Sequence, residues 1–224
     1  MKHAGKARSA ALKLIFLALL GVAVLGFIAR GVNFLPAVII GALAALWIIF
    51  VLFTLYFFRD PTAKPPAGPG LVVSPGHGTV DFVDRLDNSE YMGGPCHRIS
   101  IFLSVINVHV QNAPVSGQIS CVIHTAGKFI SALEADSARY NENVLIGFDS
   151  SETAGEKIGL RLIAGLIARR IVPFVKAGDV MARGERISLI QFGSRCDLYI
   201  PLQYQIKTKL GDKVVGGETI MAAR

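Results

Sequence analysis

Residues 1–58 contain no aspartate and no glutamate. Five basic residues stand there alone: Lys2, Lys6, Arg8, Lys13 and Arg30. Cysteine is scarce as well. Cys96, Cys121 and Cys196 are odd in number and far apart, which excludes a disulfide framework and a cysteine-based zinc site. The histidines are His3, His77, His97, His109 and His124, and no two share the close spacing of a helical metal site, so no metal is expected. The formal charge is +7, yet no basic run is interleaved with aromatics, which argues against a nucleic-acid partner.

What the chain does have is apolar length. Of its 224 residues 52% are hydrophobic, with a mean hydropathy of +0.50. The excess lies in "LIFLALLGVAVLGFIA" (14–29) and "AVIIGALAALWIIFVLFTLYFF" (37–58), both without charge. A bilayer core takes about 20 apolar residues per helix. The second run meets that length. The first is short, and Lys13 and Arg30 can snorkel at its ends. The intervening "RGVNFLP" reads as a tight connection, so residues 1–58 are expected to form a transmembrane helical hairpin, with helices at about 12–30 and 36–58. A signal peptide followed by an anchor is the alternative, but no convincing small-residue cleavage site precedes the second run. A hairpin lying only partly in the bilayer is another. Four of the five bases precede the first run, which predicts a cytoplasmic N-terminus. A hairpin returns the chain to the same side, so the following domain is expected at the cell membrane on the cytoplasmic face. Basic charge also favours an anionic leaflet, by about 1 kcal/mol per residue near the surface.

"FFRDPTAKPPAGPGL" (57–71) carries four prolines and reads as an extended linker over 59–70. The remainder, 71–224, is expected to be a β-rich α+β catalytic domain. Short runs dense in Val, Ile, Leu and Phe alternate there with Gly, Pro, Asn and Asp. One helix is plausible at 155–169, although its internal glycines favour two strands equally. "GDVMARGERI" (178–187) echoes "GDKVVGGETI" (211–220), 33 residues on, and "SPGHGTV" (74–80) echoes "APVSGQI" (113–119). Such stretches form turns and strand edges in the sandwich folds of lipoyl and biotinyl carriers. The lysine that a carrier modifies is absent from both turns, so they read as β-turn architecture.

Three places carry candidate chemistry. In "SVINVHVQNAPVSG", strand alternation sets Asn107, His109 and Gln111 on one face, as a site or as a solvated edge. His77 lies between two glycines in "SPGHGTVDF" and reads by spacing alone as a turn residue, with Asp81 four positions on. Asn141-Glu142-Asn143 reads as an ordinary turn. In "SLIQFGSRCDLYIP" (188–201), Gly193-Ser194 interrupts two strand-like runs. That step is either a bulge or a peptide bond that the chain cuts in itself. A serine hydroxyl can attack the preceding carbonyl where the backbone is held in a geometry that glycine tolerates. The resulting ester is then expelled, and hydrolysis leaves a pyruvoyl ketone, an electron sink of the kind pyridoxal phosphate provides. A base and an oxyanion site are required. A Gly-Ser pair alone does not distinguish the two readings.

The arrangement of motifs resembles that of the short bacterial and archaeal phosphatidylserine decarboxylases over nearly the whole chain. The matching pieces run in order: the hydrophobic hairpin, "FFRDP" (57–61), "VVSP" with "HG" (72–78), "RISIFLSV" through "NVHV" (98–110), "GKF" (127–129), "NE" (141–142), "IAGLIARRIV" (163–172) and "GERI" through "FGSR" and "DLY" (184–199). "FGSR" is the most specific. The resemblance implies that Ser194 becomes a covalent pyruvoyl cofactor and that Gly193 ends a β-chain 1–193, which stays associated with an α-chain 194–224. It implies that His109 is the base of self-cleavage. It further implies decarboxylation of phosphatidylserine, or a related aminophospholipid, to phosphatidylethanolamine through a Schiff base. Archaeal-type relatives use an ether lipid. One departure stands out: the family usually has Asp where this chain has His77, in "SPGHG" rather than "SPADG". In Ser-His-Asp triads, replacing Asp by Asn costs about 10⁴ in rate through the wrong imidazole tautomer. His77 can accept a proton contact but offers no charge, and Asp81 is a possible surrogate. A non-catalytic, uncleaved relative that binds anionic phospholipid or a membrane partner is the alternative function. Arg169, Arg170 and Arg195 are candidate phosphate contacts.

Overall fold

The computed structural model describes residues 2–31, 37–89, 91–131, 140–153, 155–166, 170–191 and 193–224. Two helices come first, α1 (Lys6–Gly31) and α2 (Ala37–Phe57). At 1.5 Å per residue they are about 39 and 31 Å long, enough to cross a hydrocarbon core of about 30 Å. Lys6–Ile28 and Ile39–Phe57 are the stretches apolar enough to do so. α1 starts six residues before the expected 12, because Lys6, Ala7, Arg8, Ala10 and Ala11 are good helix formers that extend it into a polar first turn. Most of "RGVNFLP" falls outside the described residues. The helices form one compact unit, Ala4–Asp60, and the strands belong to another, Pro61–Arg224 with the extreme N-terminus.

Among the described residues the second unit holds fourteen strands in three antiparallel sheets. The largest runs β13 (Lys213–Val214), β2 (Gly78–Ser89), β3 (Gly94–Leu103), β11 (Ser194–Pro201), β7 (Lys157–Ala164), β6 (Asn143–Ser150), β5 (Gly117–Thr125), β9 (Val180–Met181). The two small sheets are β1 (Leu71–Val73), β14 (Ile220–Ala223), β12 (Gln205–Ile206), and β4 (Val110–Asn112), β10 (Arg186–Gln191), β8 (Arg170–Pro173). The stretch 155–169 contains a strand, β7, where a helix was one of two expectations. Its burial is near-continuous rather than one-sided, as a central strand requires.

The two sequence echoes correspond to an internal twofold repeat. The eight-strand order has matching partners from both ends inward: β13 with β9, β2 with β5, β3 with β6, and β11 with β7 at the centre. β9 pairs with Gly117 and Gln118, and β13 pairs with Gly78 and Thr79. Both β2 and β5 have a bulge just after the paired start, at Val80/Phe82 and Ile119/Cys121. The turns also match: Lys176 N–H donates to Asp179 Oδ2 and Lys209 N–H to Asp212 Oδ2, each at 2.9 Å. The core lies on the inner face, where Ile99, Ile101, Leu103, Leu160, Leu162, Cys196, Leu198 and Ile200 alternate inward and are fully buried.

Gly78 and Gly117 occupy equivalent places. A Cβ on Gly78 would collide with the Phe102 carbonyl, and one on Gly117 with the Asp149 carbonyl. Gly78→Ala or Gly117→Ala is expected to lower unfolding free energy by about 1–3 kcal/mol through overpacking. Gly94→Ala, where nothing lies within 4 Å, should change it little. Denaturant unfolding of the detergent-solubilised chain measures the difference.

Candidate active site

β10 and β11 belong to different sheets, so the chain changes sheets between Gln191 and Ser194. Gly193 makes that corner at φ +75°, in the left-handed region where a side chain is strained. Phe192 lies outside the described residues. Ser194 opens β11 and pairs with Leu103 on one side and Ala164 on the other. It is fully buried on the core face, and its Oγ has no hydrogen-bond partner among the described residues. An unpartnered buried hydroxyl costs about 1–3 kcal/mol. Ser194 is thus fixed through its backbone while its oxygen is left uncommitted.

His109 is fully buried beside this corner. The Gly193 N–H donates to His109 Nε2 at 3.1 Å. Nε2 therefore carries the lone pair, and Nδ1 carries the proton, which it donates to the Asn107 carbonyl at 2.9 Å. The carbonyl that holds the ring comes from a turn. Asn107 Oδ1 accepts from the Ser104 N–H at 2.9 Å and from the Ser104 hydroxyl at 2.7 Å. Behind the ring, Gln111 Nε2 donates to the His109 carbonyl at 2.7 Å, and the Ser188 hydroxyl donates to Gln111 Oε1 at 2.6 Å. The expected alternation over 106–111 is thus corrected. Residues 104–107 form a turn, the strand starts only at Val110, and Val108, His109, Val110 and Gln111 are all buried. With all four buried, the segment is not a solvated edge.

The turn 74–77 is tied to the strand that follows His109. Asn112 N–H donates to the Pro75 carbonyl at 2.8 Å, and Gly217 N–H to the Ser74 carbonyl at 2.7 Å. A Cβ on Gly76 would touch Leu103 and Cys196, the residues beside Ser194 in the sheet. His77 is half-buried, and its ring lies against Gly216. Asp81 is not a surrogate for the absent carboxylate. It pairs with Arg195 at 3.3 Å, and Arg195 pairs also with Asp197 at 3.3 Å, on the face of β11 opposite Ser194. Arg195 is 2% exposed and stacks over the Phe82 ring at 4.4 Å, so it is a structural cation and not a phosphate contact. Arg170 is exposed, and Arg169 lies outside the described residues.

The turn assigned to 141–143 has a larger part than its sequence suggests. Asn141 is buried, and its Nδ2 donates to the Ala164 carbonyl at 2.7 Å and to Ile130 O at 2.8 Å. It clamps the residue that pairs with Ser194. The motif "NE" carried the signal; its partners lie in distant segments. All three cysteines are free thiols. Burial pushes the Cys196 thiol up, away from reactivity.

Burial also raises the Asp197 and Asp81 carboxyls above their ordinary 3.8, against the lowering by Arg195. The folded chain then keeps protons that the unfolded chain releases. Their stabilisation is complete below 3.8 and is lost as pH rises through the raised values. In thermal melts from about pH 4 to about pH 7, Asp197→Asn is expected to flatten the decline seen in the parent chain.

Similarity to known proteins agrees with this geometry. A family model described as phosphatidylserine decarboxylase matches residues 50–222. A phosphatidylserine decarboxylase proenzyme of Desulfotalea psychrophila is 42% identical over 179 residues, 80% of this chain and 83% of the relative. One of Pelobacter propionicus is 42% identical over 187 residues, 84% of each chain. One of Trichlorobacter lovleyi is 40% identical over 195 residues, 87% of each. Family match, relatives and the Gly193-Ser194 corner beside His109 converge: this chain belongs to the phosphatidylserine decarboxylase family of lyases.

Proposed function

We propose that this chain is a precursor that cuts itself between Gly193 and Ser194, and that the product decarboxylates phosphatidylserine, or a related aminophospholipid, to the ethanolamine lipid. The observation that carries the reading is the buried, uncommitted Ser194 hydroxyl at a left-handed glycine, whose N–H is accepted by His109 Nε2 at 3.1 Å. Nε2 gives up the Gly193 N–H, turns its lone pair to the adjacent Ser194 hydroxyl and takes the Oγ proton. Oγ attacks the Gly193 carbonyl carbon, and the Gly193–Ser194 C–N bond breaks, with the proton passing to the nitrogen. Loss of the Ser194 Cα proton expels the Gly193 carboxylate and leaves dehydroalanine at the new N-terminus. Its imine tautomer takes up one water and releases one ammonia, which gives the pyruvoyl group. Once formed, that ketone supplies an electron sink for the pair left when a carboxylate departs as carbon dioxide.

The rest of the site supports this use. The Asn107 carbonyl fixes the required His109 tautomer, so the ring does not depend on a carboxylate at position 77. His77 is a supporting group, one residue from Gly76, which packs on the neighbours of Ser194. After the cut, residues 194–224 keep β11 between β3 and β7, β13 on β2 and β14 on β1, which retains the small chain without a covalent link. The two apolar helices keep the enzyme at the membrane, and the bases before α1 set the catalytic domain on the cytoplasmic side.

Intact-mass spectrometry of the purified chain tests the proposal. Two fragments are expected, 1–193 and 194–224, the smaller blocked at its N-terminus and reactive towards hydrazines. Ser194→Ala should remain one 24.0 kDa chain. His109→Ala should slow processing by at least about 10², and His77→Ala by no more than about tenfold. A parent chain that stays whole after prolonged incubation overturns the reading in favour of an uncleaved lipid-binding relative.

A further inference from the structure

β3 and β7 both run antiparallel to β11 and both leave the sheet past Ser194. The turns that follow them therefore flank the scissile bond, about 10 Å apart across one intervening strand. Those turns expose apolar side chains. After β3 come Val105, 38% exposed, and Ile106, 61% exposed; after β7 comes Leu166, 65% exposed. Val105 is the nearest side chain to the Cβ position of Gly193, at 3.8 Å. Tyr140 joins them, since the adjoining Asn141 bonds the Ala164 carbonyl, and it is 44% exposed. Scattered exposed apolar residues are ordinary. Four at one end of one sheet, around the reacting bond, are not.

Among the described residues, cations stand at the same end. Lys128 is exposed and reaches over the Tyr140 ring at 5.6 Å. Arg170 is exposed and opens β8 opposite Gln191, two residues before Gly193. Among the described residues there, Glu142 is engaged with His124 at 3.2 Å. Aliphatic tips, an aromatic ring and cations at one rim match the layers of a phospholipid surface: acyl boundary, interface and phosphate. The same chain carries two helices apolar enough to cross a bilayer.

We infer that the rim formed by Val105, Ile106, Leu166 and Tyr140, with Lys128 and Arg170, is a membrane-docking surface that seats the Ser194 end of the catalytic unit in the headgroup layer of the bilayer. The lipid headgroup then reaches the site without leaving the membrane. This rests on the decarboxylase reading, but it is tested apart from it. The full chain with Trp47→Phe and Ile106→Trp is reconstituted in vesicles of phosphatidylcholine and phosphatidylglycerol, with and without brominated phosphatidylcholine. Trp47 is the sequence's one tryptophan, so the new residue reports alone. Its emission is expected to be blue-shifted and quenched by bromine, while Gln203→Trp in the same background, exposed at the far end of β11, stays unquenched. Ile106→Asp with Leu166→Asp should raise the vesicle lipid concentration for half-maximal rate about tenfold or more, with little change in rate on a short-chain monomeric substrate. Emission at Ile106→Trp that matches Gln203→Trp overturns the surface even if the chain processes and decarboxylates. Quenching in a chain that never cleaves leaves the surface standing and removes the enzyme reading.

Discussion

β11 lies at the centre of the largest sheet, held by β3 on one side and β7 on the other, and its first residue is Ser194. That placement constrains everything else at the site. A central antiparallel strand has both rows of backbone groups satisfied, so its start cannot drift. The residue before it must turn the chain out of one sheet into another, and only a left-handed glycine does this without strain. The Gly193–Ser194 bond, the one proposed to break, is thus the joint between two sheets. Its serine is rigid in the backbone and uncommitted at the oxygen.

The neighbourhood of that joint divides by face. On the core side stand Ser194, the apolar residues and the turn 74–77. On the other side Arg195, Asp81 and Asp197 form a buried charged cluster whose parts depend on one another. Removing one partner of such a group costs about 3–5 kcal/mol, because the charge left behind stays buried. The "R" and "D" of "FGSR.D" are therefore tied to the stability of β11 and not to the lipid phosphate. Tyr199, on the same face, is pushed up to about 12 by burial and by Asp197, and keeps its proton.

His109 takes its orientation from the backbone. A side-chain carboxylate and a backbone carbonyl both accept the Nδ1 proton; the carboxylate adds charge that stabilises an imidazolium, and the carbonyl fixes the tautomer alone. Under the proposed self-cleavage the base acts once per molecule, so a ring oriented without a carboxylate at position 77 is compatible with that reading. The internal twofold repeat explains how the corner is braced: equivalent turns meet at Gly184 and Gly217, and the second of these bonds the Ser74 carbonyl.

Much was legible in the sequence because its signals are local. Two uncharged runs of helical length, an acid-free first quarter, strand-like runs punctuated by Gly and Pro, and the 33-residue echo each report a short-range physical need, and each corresponds to an element of the structure. "FGSR" carried the chemistry through resemblance. What lay beyond reading were pairings between distant segments. Alternation around His109 misled because the strand starts only at Val110 and both faces of 108–111 are buried. Arg195 looked available because its partners, Asp81 and Asp197, meet it only across the β2 bulge and along β11. Asn141 looked like a turn because the carbonyls it binds belong to Ile130 and Ala164. Sequence alone determined which residues are apolar, which turn and which can react. The tertiary structure decided which of them meet, because hydrogen bonds and burial act over a few ångströms between residues that the chain holds tens of positions apart.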